Sequence, residues 1–129
     1  MDYYKFNLIR TELFDALQSV FENYDLIISP TTACLPVYNA SNGNTLGPVS
    51  IGGQELEPLI GFCETFFANF TGHPAASVPA GLSENGLPIG MQIIGRRFKD
   101  EDVFAAAKTL EEIQPWKDFY NIPFSRLIN

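Results

Sequence analysis

Two apolar extended runs separated by one strong turn signal constrain this chain more than any other feature. Ala75-Ala76-Ser77-Val78-Pro79 and Leu87-Pro88-Ile89-Gly90-Met91-Gln92-Ile93-Ile94 flank Ser83-Glu84-Asn85-Gly86. Asn-Gly tolerates positive φ at both positions, the geometry that turns one antiparallel strand into the next. The spacing predicts a hairpin. Pro79 and Pro88 each remove a ladder donor, so a loose connection is the alternative.

The flanking segments supply helices. Phe6, Ile9, Leu13, Leu17, Val20 and Tyr24 recur at steps of three and four and predict a long amphipathic helix. Leu26-Ile27-Ile28, ended by Ser29-Pro30, predicts a short strand buried on both sides. Pro58 suits a first helical turn, and Leu59, Phe62, Phe66 and Phe70 follow at near-helical spacing until Gly72 and Pro74. Asp100 predicts a cap for the last helix, with Glu101 and Asp102 at the positive end of its dipole. Val103, Phe104, Ala107 and Leu110 predict its buried stripe, and Pro115 stops it.

Between these elements the periodicity collapses. Residues 33–57 read as a long irregular loop punctuated by Pro36, Asn42-Gly43, Pro48 and Gly52-Gly53, with a small hairpin around Val49-Ser50-Ile51 and Gln54. Residues 117–129 read as a surface tail. Helices and strands alternate, which predicts an α/β layered arrangement in one unit spanning 1–129.

Composition excludes several classes of function. Apolar residues make up 46% of the chain, enough for a core. Fifteen acidic residues against eight basic leave a net charge of -7 with no basic cluster, which argues against nucleic-acid binding. No apolar run approaches the ~20 residues of a membrane-spanning helix, and Met1-Asp2-Tyr3-Tyr4-Lys5 lacks the apolar core of a secretory signal. Those features predict a cytoplasmic protein without a membrane partner. Cys34 and Cys63 are too few for a disulfide scaffold or a zinc site, and Cys63 falls inside a helical pattern. Reduced, buried thiols are the reading.

Catalytic constellations are absent from the pattern. His73 is the sole histidine, between a glycine and a proline at a helix end, and is read as a loop or cap residue rather than a metal ligand. The glycines match neither a phosphate loop nor a dinucleotide fingerprint, and no serine sits in a Gly-x-Ser-x-Gly elbow. Lys5, Lys99, Lys108 and Lys117 lie in polar contexts that would not lower a lysine pKa. No catalytic residue, metal ligand or cofactor site is assigned.

The stretch Asn69-Phe70-Thr71-Gly72-His73-Pro74-Ala75-Ala76-Ser77-Val78-Pro79-Ala80-Gly81, followed by Gly86-Leu87-Pro88-Ile89-Gly90-Met91-Gln92-Ile93-Ile94-Gly95-Arg96, resembles the amidase signature family. Tyr24 to Thr32 looks like the family's strand ahead of its Pro-Thr loop. Phe98 to Glu112, then Pro115-Trp116, looks like its closing helix. The resemblance is weakest from Leu35 to Glu57.

This resemblance implies the C-terminal part of an α/β/α fold, here a partial mixed β-sheet with flanking helices. It implies hydrolysis of linear, non-peptide amides by a Ser–cis-Ser–Lys triad, without metal or cofactor. The Gly/Ser-rich run that carries the nucleophile in relatives is not in this sequence, so no triad residue carries over and the isolated chain is expected to be inactive. A segment that completes an active site with another chain, similar to the A-type subunit of glutamyl-tRNA amidotransferase, is one alternative. A non-catalytic remnant or interaction module is another. What does carry over is the substrate wall. Register from Asn69 places Phe62 and Phe66 on it, facing the small amide substrate, with Asn69 supporting the adjoining loop. In the amidotransferase relatives the Phe62 position resembles an Asp that grips the glutamine amino group, and phenylalanine there argues against a free-glutamine donor. Strand edges and apolar faces left open imply self-association or docking of the missing N-terminal part.

Overall fold

A computed structural model describes residues 3–40 and 45–117. The expectations for Asn42-Gly43 and for the tail beyond 117 lie outside the described residues. The long helix forms as α1 (Tyr3–Phe21), and the short strand as β1 (Leu26–Pro30). A two-stranded hairpin, β2 (Ser50–Ile51) and β3 (Gln54–Glu55), turns at Gly52-Gly53 inside the irregular segment. A short helix α2 (Phe66–Thr71) leads into β4 (Ala75–Leu82), β5 (Pro88–Gly95) and the last helix α3 (Asp100–Ile113). Among the described residues no helix is long and apolar enough to cross a membrane.

The hairpin predicted over 75–94 is β4–β5, and it adds β1 on its far side. The sheet order is β1-β5-β4, with every pairing antiparallel. Pro79 is accommodated by a register shift between Pro79 and Gly81, so its missing N–H falls at a bulge. The turn differs from the two-residue form. Ser83 N–H donates to Leu87 O at 2.8 Å, and only Gly86, at φ 76°, is left-handed, while Asn85 is not. Glu84, Asn85 and Gly86 form a three-residue loop between the paired Ser83 and Leu87, with Gly86 N–H donating to Ser83 O, and this form needs positive φ only at its last residue.

Register assigns the two faces of the sheet, because directly opposed residues share a side. Ile27, Ile94 and Ala75 stand in one row and Ser29, Gln92 and Ser77 in the next on the same face. There Ile94 packs with Phe21 of α1 and Ala68 of α2, joined by Leu17 and Ile27. On the opposite face α3 lies over β4 and β5, and Val103 approaches so closely that a Cβ on Gly95 would stand 2.6 Å from its Cγ2. Helices therefore cover both faces of a three-stranded sheet, an α/β fold as the alternation predicts.

Several local expectations are corrected by this packing. β1 is an edge strand rather than one buried on both sides. Ile27 is half-buried under α1, but Ile28 on the other face is 61% exposed, because α3 covers the other two strands. In α1 the buried side is Leu13, Phe14, Leu17 and Phe21, while Phe6, Ile9 and Val20 are exposed, as is Tyr24 beyond the helix end. The interior is small, so it takes one of two apolar stripes on that helix.

The helix expected from Pro58 begins only at Phe66. Pro58 to Gly61 form turns held by the Glu57 carboxylate, which accepts from Leu59 N–H at 2.9 Å and Ile60 N–H at 3.1 Å. Backbone at 62–64 then pairs with 31–33. Ala33 N–H donates to Phe62 O, Glu64 N–H donates to Thr31 O, and Thr32 bridges Cys63. Cys63 is thus in an extended bridge, not a helix. In α3 Lys99 occupies the cap position and Asp100 is the first helical residue, with no side-chain cap hydrogen bond. Val103 is buried as expected, but Phe104 is 73% exposed.

Candidate functional site

The polar residues of the sheet gather where β1, β5 and β4 face α2. Gln92, on the central strand, is only 2% exposed. Its amide Nε2 donates to Ser29 Oγ and to Glu64 O, each at 3.2 Å. One carboxamide thereby ties β1, β5 and the turn before α2 together. One step along the same face, the Thr31 and Ser77 hydroxyls are hydrogen-bonded, and Gly90 lies beneath them. Thr31 N–H also donates to Gly90 O, so the segment after β1 stays in register with β5.

Beside this row opens a cavity of about 280 Å³ bordered by Thr65, Ala68, Asn69, His73, Ser77 and Gln92. Neither Phe62 nor Phe66, the two residues expected on the substrate wall, borders this cavity, whereas Asn69, expected to support the adjoining loop, does. Asn69 is an exposed residue within α2, and its side chain makes no hydrogen bond with a described residue. The left-handed Gly72 caps that helix instead, donating N–H to Ala68 O. Phe62, half-buried in the turn before α2, lays its ring where a Cβ on Gly47 would stand. Phe66, at the first position of α2, stacks on Phe70 with ring centroids 6.0 Å apart. Phe62 and Phe66 therefore lie along one run of chain but in different packing environments.

His73 forms the cavity's inner corner and is 5% exposed. Thr71 Oγ1 donates to Phe67 O at 2.7 Å, leaving the hydroxyl to accept from His73 Nδ1, also at 2.7 Å. His73 Nε2 lies 3.2 Å from the Gln18 side-chain amide, and the ring stacks on Phe21 at 5.2 Å. Burial, and then the positive charge of Arg97, hold its pKa below the ordinary histidine value. This imidazole ties α1 to the end of α2, and both nitrogens are engaged in doing so.

Chemically the site can bind and orient. Carboxamides, hydroxyls, the His73 imidazole and small apolar side chains line it, and among the described residues no carboxylate, lysine or thiol borders the cavity. Gln92 and the Thr31–Ser77 pair were not singled out from sequence. Their one signal is polar residues placed in register on otherwise apolar strands.

The comparisons with known proteins agree with this architecture. The family model for amidases matches residues 1–104. The chain is similar to the A-type subunit of glutamyl-tRNA(Gln) amidotransferase from Thermotoga maritima, 36% identical over 110 residues, covering 85% of this chain and 21% of that protein. The second such subunit of Clostridium acetobutylicum is 34% identical over 114 residues, with 85% of this chain and 21% of that protein covered. Among solved structures, a bacterial aryl acylamidase of the amidase signature family superposes with a TM-score of 0.85 at 53% identity, over 90% of this chain and 24% of that one. The chain thus spans between a fifth and a quarter of the relatives it matches. With the family model matched over most of its length and the fold shared, the chain belongs to the amidase signature family.

Proposed function

We propose that this chain is the C-terminal part of a hydrolase acting on the carbon–nitrogen bond of linear, non-peptide amides. The observation that carries the reading is the likeness to the aryl acylamidase, 53% identical with a TM-score of 0.85. The serine nucleophile and its lysine relay belong to family regions outside this sequence. This part contributes scaffold and substrate wall. Phe62 and Phe66 supply apolar surface, Asn69 borders the cavity beside them, and the Gln92 network holds that layer on the sheet.

The docking partner is the rest of such a domain, or a second copy of this chain. Exposed apolar side chains on several elements, among them Ile28, Phe67, Leu82 and Ile89, support such contacts. The names of the amidotransferase relatives favour a second reading, in which the chain completes an active site with another polypeptide. Phenylalanine at position 62 counts against glutamine as the amide donor in that case.

Complementation tests the proposal. The chain is mixed with the bacterial aryl acylamidase lacking the quarter that this chain matches, and hydrolysis of a chromogenic anilide is followed. Alone, each part is expected to be inactive; together they restore turnover that a serine-directed phosphonate abolishes. A complex that assembles yet stays inactive overturns the hydrolase reading in favour of an interaction module.

A further inference from the structure

On the outer side of α1, where it meets the C-terminal end of α2, a groove of about 360 Å³ is bordered by Asn7, Arg10, Thr11, Phe14, Phe70 and Arg97. Among the described residues no aspartate or glutamate borders it. Arg10 uses its Nε to donate to Phe70 O, while its Nη groups make no hydrogen bond or ion pair with a described residue. Arg97 makes neither with any part of its guanidinium among the described residues. That group lies 5.7 Å from the Phe14 ring centroid and 4.8 Å from that of Phe98, beside Gly72. The neighbouring Arg96, in contrast, pairs with Asp25 at 3.1 Å.

We infer that this groove binds an organic carboxylate, its charge held by Arg10 and Arg97 and its apolar body against Phe14 and Phe70. A guanidinium presents parallel N–H donors that match a carboxylate's two oxygens, and two guanidiniums at one groove exceed what packing alone requires. Asn7 and Thr11 donate to backbone carbonyls of their own helix, at Tyr3 and Asn7, so the recognition falls to the arginines. The rings favour a ligand with an aryl or alkyl body over a bare oxyanion.

His73 provides an internal reporter. It stands 5.7 Å from Phe14, behind the groove, and Arg97 is the charge that acts on it. A carboxylate on Arg97 offsets that charge and raises the imidazole pKa. As the sole histidine, it gives an unambiguous NMR signal.

The whole chain is titrated with sodium benzoate at constant ionic strength, with acetate, inorganic phosphate and neutral benzamide in parallel, while the His73 ring and the backbone amides are followed. Saturable shifts at Gly72 and Arg97 and a rise in the His73 pKa are expected with benzoate, weaker effects with acetate and none with benzamide. Arg97→Gln is expected to weaken benzoate about tenfold or more. Arg97→Lys keeps the stem and the charge, guards against loss of folding, and is expected to weaken it less. Phosphate binding more tightly than benzoate overturns the assignment to an organic carboxylate. Benzoate shifts that do not saturate, or equal affinity in wild type and both variants, overturn the site.

Discussion

The Thr31 and Ser77 hydroxyls meet 2.7 Å apart over the bare backbone of Gly90. A Cβ at Gly90 would stand 2.8 Å from Thr31 Oγ1 and 3.1 Å from Thr31 Cβ. Threonine is stiff at χ1, so it cannot swing aside without losing the contact with Ser77. The close approach fixes where the chain leaves β1, and with it the pairing of 31–33 against 62–64 that positions Phe62.

Gly90→Ala is therefore expected to destabilise the chain by about 1–3 kcal/mol, the usual cost of overfilling a packed position. Urea denaturation measures it. Gly86→Asn is the contrasting case, since no atom lies near that position and asparagine tolerates left-handed φ. A loss at Gly90 no larger than at Gly86 would show that the Thr31 approach is not tightly packed.

The fold was legible in sequence wherever periodicity and turn chemistry agreed. Runs on either side of residues 83–86 became β4 and β5, and the stripe at Val103, Ala107 and Leu110 sits on the helix that covers them. The misreadings have one physical source, which is that apolar character does not specify a partner. Phe104 and Ile28 are as apolar as Val103 and Ile27 yet face outward, because the covering helix reaches some strands and not others. Leu59 and Phe62 keep helical spacing, but backbone pairing with residues 31–33 pulls that segment out of the helix. At the site, motif register pointed to Asn69 as a loop support and the structure places it at the cavity's border, whereas no pattern pointed to Gln92. Its importance comes from hydrogen bonds to Ser29 and Glu64, far apart in sequence, and no local pattern announces those.

Acidification is expected to weaken the tie that His73 makes between α1 and the end of α2. The folded pKa of His73 lies below 6.5, its ordinary value, because burial and Arg97 disfavour the imidazolium. Between that folded value and about 6.5 the unfolded chain binds more protons than the folded one, so stability rises with pH across this window and is lost as pH falls through it. His73→Gln keeps a polar group without titrating. The slope of stability between pH 7 and 5, wild type minus variant, should be positive. Identical slopes would remove His73 from the acid response.

Open edges predict association. Among the described residues β1 and β4 each leave one side of the sheet unpaired, and Ile28 sits exposed on the first of these. Edge strands of this kind pair readily with another chain. Light scattering at roughly tens of micromolar, where a moderate edge contact fills, should show a dimer or larger species. Ile28→Lys should shift it toward a 14.3 kDa particle. A monodisperse monomer for the unaltered chain would contradict this.

Phe66 carries the prediction that separates a substrate wall from plain packing. Its ring stacks on Phe70, so removing it disturbs α2 whether or not a ligand ever touches it. The two roles differ in what they do to different substrates. Burying a ring against a ligand is worth roughly 1.5–3 kcal/mol, or about 10- to 100-fold in transition-state binding. In the complemented enzyme, Phe66→Ala should lower kcat/KM for an aryl or long-chain amide by about that factor, while a two-carbon amide too short to reach the wall changes far less. A packing role predicts instead a cavity costing ~3–5 kcal/mol of stability, which depletes folded enzyme and depresses both substrates together. Titrating active sites with a phosphonate before each assay removes that depletion from the comparison. A selective loss for the longer amide then places Phe66 against the substrate, whereas equal losses return it to the interior with Phe70.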